Sequence, residues 1–513
     1  MLEPSDHPVQ WVALVAVLLA LLAGLRVALR WRGVQFHWRR ALADLRRRPG
    51  RLGRQLALTV GPGTVLGLSA AIALGGVGAV GWLWLLSAVT TALRVADHAA
   101  PQRSGPPPWS AAGHPARGGV VVWLVVVVLW AGLHVVPSAQ AFEALLPASW
   151  PWALGAALLG AGLLLFGPQR AAPYLGAVAL LGLLGLLVGL GLAVAAEPAV
   201  LASVPGRVLG EMLDGSAPAP PFVGATAGEV LRLAWLRIGP PLLASTGLLG
   251  SAERAAEGSA AAGPTASALE LPVLWLLGFL FAAAVVATGA LFEPVDTTRP
   301  LAGLLVYRGG FETPSQRLEP ERRHRGYMRV RDGKMVDVPL RVGDWQGTFQ
   351  SARFEVDGAP ADFALHLDER GRPIRLLLPG EQGALQEAPL SRLQGIVVRG
   401  RHLPDGPGLL AEVAARSVAP DAARLLLWVA LFAWLAACGG VFGLGLLGLL
   451  PSRLAGVGGR GVAVVAIGVG GLAALPQLRP WTEPLLVVAS GLALCAAVVA
   501  SWSLAARRAG RAD

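Results

Sequence analysis

Across 513 residues there is no asparagine, and lysine occurs once, at Lys334. The first absence removes one carboxamide side chain from every site the protein can build. The second leaves arginine carrying almost all the positive charge. Codon bias in a GC-rich genome accounts for both. Cysteine is nearly as scarce: Cys438 and Cys495 both lie in apolar stretches, so neither a disulfide framework nor a thiolate metal centre is indicated. Charged residues make up only 15% of the chain, while 54% is hydrophobic. A soluble domain does not hide that much apolar surface, so the class is a polytopic membrane protein. No nucleotide-binding glycine loop, metal-ligand cluster, serine-nucleophile elbow or catalytic dyad is found, which predicts neither an enzyme nor a bound cofactor. The net charge of +11 does not point to nucleic acid either, because the arginines cluster in short loops beside apolar runs.

What is present in quantity is apolar sequence. Runs near spanning length fall at about 9–30, 54–73, 76–96, 119–137, 150–166, 172–196, 222–250, 269–292, 422–449, 460–476 and 481–506, predicting about eleven transmembrane helices. The loop from Trp31 to Arg54 holds eight arginines against the single acid Asp44. The positive-inside rule makes it cytoplasmic and puts the N-terminus outside. Every second connection thereafter is also arginine-bearing, ending with Arg507, Arg508 and Arg511 on a cytoplasmic C-terminus. No basic residue precedes the first run, which favours an uncleaved first span over a signal peptide.

One connection breaks the pattern. Residues 294–421 hold 17 of the 32 acidic residues and alternate apolar with polar positions, as in "YMRVRDGKMVDVPLRV" and "FALHLDERGRPIRLLL". Asp-Gly, Arg-Gly and Pro-Gly signals separate these stretches. The pattern predicts a small β-rich domain, roughly 305–405, inserted on the outer side between helices 1–8 (residues 1–293) and helices 9–11 with the tail (residues 422–513). Trp345, Phe349, Phe354 and Phe363 are expected in its core. His324, His366 and His402 lack metal-ligand spacing and are expected at surface or turn positions.

Two apolar runs contain helix breakers. The second carries Gly61-Pro62-Gly63-Thr64, and the seventh carries Gly239-Pro240-Pro241 followed by Ser245-Thr246-Gly247. They lie five spans apart and therefore cross in opposite directions, the sign of an inverted repeat whose half-helix ends converge on a site. Freed N–H groups there suit a carboxylate, and unwound carbonyls suit a cation. Elsewhere the signals are weaker. Glu229 and Arg232 are i, i+3 neighbours near an outer end, where pairing explains them. Arg94, Asp97 and His98 close the third run, where an interfacial role is expected. His134 in the fourth run is able in principle to relay a proton, but it stands alone.

The stretch "GPGTVLGLSAAIALGGVGAVGWLWLLSAVTTALRVAD" (61–97) resembles the alanine/glycine:cation symporter family. Ala73-Leu74-Gly75-Gly76-Val77-Gly78-Ala79 and Trp82-Leu83-Trp84 carry the match, "LRVALRWRGVQF" (25–36) resembles the end of that family's first helix, and weak similarity runs through the later spans. The resemblance implies eleven spans, the last ten forming a LeuT-type inverted repeat, and does not cover the β insertion. It implies a bacterial inner-membrane symporter of alanine or glycine, coupled to sodium or protons by alternating access. The substrate would sit at Gly61, Gly63, Thr64 and Gly67, with Ser245, Thr246 and Gly247.

The site departs from the family where the scaffold does not. Pro62 replaces a Thr and Thr64 an Asn of the family's break, and Leu435 and Ala436 stand where the family has hydroxyls. Hard cations need several oxygen ligands, so a sodium site is weakened. The alternative expectation is a transporter-derived receptor or envelope-assembly protein that docks a protein partner through the 305–405 domain.

Overall fold

The computed structural model describes residues 8–30, 33–36, 38, 42–43, 49–104, 117–146, 151–214, 231, 238–239, 252, 255–256, 268–291, 295–302, 304–308, 324–336, 340–344, 347–368, 373–379, 385–404, 406–449 and 456–472. Most of the seventh and all of the eleventh predicted runs lie outside them, as do Trp345 and, apart from Gly239, the second break with Ser245, Thr246 and Gly247.

The helical body comprises α1 (Pro8–Arg30), α2 (Pro49–Thr59), α3 (Pro62–Gly75), α4 (Ala79–Ser104), α5 (Arg117–Leu145), α6 (Pro151–Gly162), α7 (Pro168–Val194), α8 (Val204–Asp214), α9 (Glu270–Thr288), α10 (Pro407–Ala415), α11 (Pro420–Leu449) and α12 (Val457–Leu472). Three of these, α7, α9 and α11, are long and apolar enough to cross a membrane. The pair α2 and α3 passes the same test as one span bent by 47°. Outward faces are apolar too: Leu18, Leu22, Leu25 and Leu29 on α1, Leu181, Leu184 and Val188 on α7, and Val462, Val465 and Val469 on α12 are exposed. Such faces suit a lipid surround and would be a liability in water.

Glycine sets how closely these helices approach. Lipid tails are as apolar as leucine, so helices in a membrane associate through close packing of small residues. α11 runs along α6 and α7 at the centre of the body. A Cβ on Gly439 would stand 2.5 Å from the Ala157 carbonyl oxygen of α6, and one on Gly182 of α7 would stand 3.0 Å from the Ala430 oxygen of α11. Gly278 of α9 similarly admits Val80, Leu83 and Trp84 of α4. The indole N–H of Trp84 donates to the Trp275 carbonyl (3.2 Å), and that of Trp275 donates back to the Trp84 carbonyl (3.1 Å). Between α3 and α4 the chain turns at Gly76 (φ 80°), and the Gly78 N–H finds the Glu211 carboxylate of α8 at 3.2 Å. The glycines and tryptophans that carry the resemblance therefore work as scaffold.

The insert is a sandwich of two antiparallel sheets. The first follows the order β1 (Val295–Pro300), β11 (Ile396–Pro404), β6 (Gly347–Val356), β5 (Leu340–Asp344) and β2 (Leu305–Arg308), with β7 (Ala359–Pro360) on β6. The second runs β10 (Leu385–Ala388), β9 (Pro373–Pro379), β8 (Phe363–Leu367), β3 (Gly326–Arg331) and β4 (Lys334–Met335). Phe349, Phe354 and Phe363 are buried in a core shared by both sheets, as expected. The Phe354 and Phe363 rings meet edge to face at 5.4 Å. Asp332-Gly333 and Asp357-Gly358 make the tight hairpins, all four residues at positive φ, the geometry that twisted two-residue hairpins require.

Two details differ from expectation. Strands begin at Val295 rather than near 305, because β1 pairs with β11 from Val295 opposite His402 to Pro300 opposite Val397. The strands that bound the sandwich in sequence thus lie side by side, as an insert between consecutive helices requires. His324 is buried rather than superficial: its imidazole Nε2 stands 2.9 Å from the Tyr327 carbonyl. His366 lies in β8 with its ring stacked on Tyr327 at 4.6 Å.

Filling the α6–α11 contact should cost stability. Gly439→Leu is expected to lose about 1–3 kcal/mol, read as an earlier unfolding midpoint of the detergent-solubilised protein. Gly155→Ala on α6, where a Cβ meets nothing within 4 Å, should leave the midpoint unchanged or raise it.

Candidate functional site

The bend between α2 and α3 is the one break predicted from sequence that lies within the described residues. Gly61 is extended (φ −53°, ψ 170°), and Pro62 begins α3, where its missing N–H is no loss. A helix interrupted in an apolar surround exposes the last carbonyls of one half and the first N–H groups of the other. The structure meets several of them. The Val60 N–H donates to the Leu56 oxygen (2.8 Å) and the Thr64 N–H to the Gly61 oxygen (2.9 Å). The Thr64 hydroxyl reaches back to the Thr59 oxygen at 3.4 Å. From outside the span, the Cys438 thiol of α11 donates to the Ala57 oxygen, and Nδ1 of His134 on α5 accepts the Gly63 N–H at 3.0 Å.

Gly61, Gly63 and Thr64 are thus brought together and buried, and Gly67 lies one turn further along α3, half-buried. A Cβ on Gly61 would stand 2.7 Å from the His134 ring and 2.9 Å from the Cys438 sulfur, so glycine is required there by close approach. The sequence leaves His134 standing alone and Cys438 merely in an apolar stretch; the structure makes both members of this site. They lie far from the break in sequence, 71 residues from Gly63 and 381 from Ala57 respectively. A signal did exist: polar groups inside apolar runs need hydrogen-bond partners, and a helix break supplies them. His134 is 1% exposed, its ring lies 5.4 Å from that of Phe442, and its carbonyl accepts the Ser138 hydroxyl at 2.6 Å.

A second polar cluster lies beside α2. Arg94 of α4, expected at an interface, is instead wholly buried and donates from Nε to Glu270 Oε2 of α9 at 2.6 Å. The reason is local: Glu270 is also wholly buried, and neither charge is tolerable there without the other. Thr91 Oγ1 accepts a further bond from Arg94 Nη2 at 3.3 Å. The Thr59 side chain stands near the Glu270 carboxyl, yet its hydroxyl proton is committed to the Gln55 carbonyl at 2.9 Å. Glu270 Oε1 consequently has no hydrogen-bond partner among the described residues. The buried ion pair and the break are therefore joined through the last turn of α2.

Chemically, the arrangement offers a backbone N–H at the positive end of α3, an imidazole already engaged with it, and a buried ion pair beside the last turn of α2. No group of three or more His, Cys, Asp or Glu side chains that could hold a metal ion occurs among the described residues.

Removing one partner of the ion pair is expected to cost more than removing both. Arg94→Leu or Glu270→Leu alone should destabilise the protein by about 3–5 kcal/mol, while the double variant should recover most of that loss. Unfolding midpoints of the four proteins, compared as a double-mutant cycle, check this.

In comparisons with known proteins, no family model matches the chain and no curated protein matches it.

Proposed function

We propose that the chain is a divergent member of the alanine/glycine:cation symporter family, a bacterial inner-membrane secondary transporter with eleven spans in a LeuT-type inverted repeat. In this reading the N-terminus is outside, the C-terminus is cytoplasmic, and a small amino acid such as alanine or glycine is carried by alternating access with sodium or protons. The observation that carries it is the break at Gly61–Thr64. A span bent by 47° at glycine, with side chains of α5 and α11 gathered at the bend, supports a half-helix binding site. The buried Arg94–Glu270 pair adds weight, because charge enclosed in an apolar body is costly and usually serves transport or a relay.

One observation favours the second reading, a receptor or docking protein that no longer transports. Pro62 has no N–H, and those of Gly63 and Thr64 are already bonded within the protein, while the insert is a complete sandwich with its own core. Excising residues 295–404, rather than 305–405, removes both strands of the β1–β11 pair together. A transporter so trimmed keeps its ligand, whereas a docking protein loses its partner.

Proteoliposomes holding the full chain should accumulate alanine or glycine under an inward sodium or proton gradient. Gly63→Leu should abolish accumulation by filling the break. Absence of uptake of any small amino acid under either gradient would contradict the transport reading.

A further inference from the structure

We propose that His134 is the proton site of this protein, and that the ligand carboxylate takes the place at the Gly63 N–H that the imidazole now occupies. The inference rests on the transport reading above and names its coupling ion.

The Gly63 N–H sits at the N-terminus of α3, a 14-residue helix, where backbone donors and the helix dipole favour an anion. The group found there is a neutral ring nitrogen: Nδ1 accepts at 3.0 Å. An imidazole that accepts at Nδ1 carries its proton on Nε2. That Nε2 is buried and has no hydrogen-bond partner among the described residues. His134 is therefore half-satisfied, a state that costs free energy in a closed apolar body and that a folded protein keeps when the group has further work to do.

Protonation changes both halves of the contact at once. A proton arriving at Nδ1 converts the ring from acceptor to donor, so the Gly63 N–H loses its partner. The ring then withdraws from the amide, and a carboxylate oxygen entering between the two donors, Gly63 N–H and His134 Nδ1–H, accepts from both. The cation also neutralises the carboxylate, which spares the site an uncompensated buried charge. One proton is taken up with each ligand and returns to water when the ligand leaves.

Few other groups compete for that proton. α3 and α6 contain no titratable side chain. On α11 Cys438 donates to the Ala57 carbonyl, and Asp421 and Arg424 stand near its start, about four turns or more before Cys438; on α10 Glu412 is paired with Arg416 at 2.7 Å, and on α12 Arg460 donates to the Leu165 carbonyl. Glu143 lies on α5 itself, more than two turns beyond His134.

The test is calorimetric titration of the full chain in nanodiscs with glycine and with L-alanine, in two buffers of different ionisation enthalpy, between about pH 5.5 and about pH 8. Uptake of one proton per ligand is expected, with affinity falling up to about tenfold per pH unit, because each binding event must draw its proton from an ever scarcer supply. In His134→Gln the amide oxygen accepts the Gly63 N–H but takes no proton, so residual binding should be independent of pH and release or absorb none. Wild-type binding without proton uptake overturns the proposal and leaves the transport reading standing. So does a His134→Gln protein that retains the pH slope. Failure of both probes to bind wild type at any pH overturns the transport reading and this proposal with it.

Discussion

An apolar surround does not forgive an unpaired backbone group, and the break between α2 and α3 is arranged around that constraint. Each unsatisfied amide or carbonyl would cost several kcal/mol where no water can reach it. The chain answers with a proline where an N–H would be wasted, a threonine hydroxyl turned back on Thr59, and two side chains lent by other helices. Those loans bind α5 and α11 to the bent span at its weakest point. The consequence is a break that is closed on itself.

Around that point the body is held by contact rather than by the hydrophobic effect. Glycine lets α11 touch α6 and α7 backbone to backbone, and the reciprocal Trp84–Trp275 pair pins α4 to α9. The residues that resemble a symporter family at Ala73–Ala79 and Trp82–Trp84 belong to this scaffold. The residues that differ, Pro62 and Thr64, sit in the break.

Much of the architecture was legible in the sequence because it is written in composition and period. Long apolar runs announced α7, α9 and α11, alternation announced the strands, and Asp-Gly at 332–333 and 357–358 announced the hairpins. Breakers at 61–64 announced the bend. What could not be read was partnership across distance. Arg94 has no counterpart within its own run, and Glu270 reads as the polar start of the next helix; only the fold brings them to 2.6 Å. His134 and Cys438 each look solitary for the same reason, since hydrogen bonds between helices leave no periodic trace. Strand β1 was missed because Val295–Pro300 is short, carries two charges and gains its identity from pairing with β11.

The central claim is that the broken span is satisfied from outside itself, with His134 holding the Gly63 amide. Hydrogen–deuterium exchange of the full chain in nanodiscs, followed over the peptide spanning residues 60–66, addresses it directly. Strong protection in the wild-type protein without added ligand, lost selectively from that peptide in His134→Leu, is the predicted result. Free exchange of the Gly63 and Thr64 amides in the wild type, or protection unchanged by His134→Leu, would contradict it.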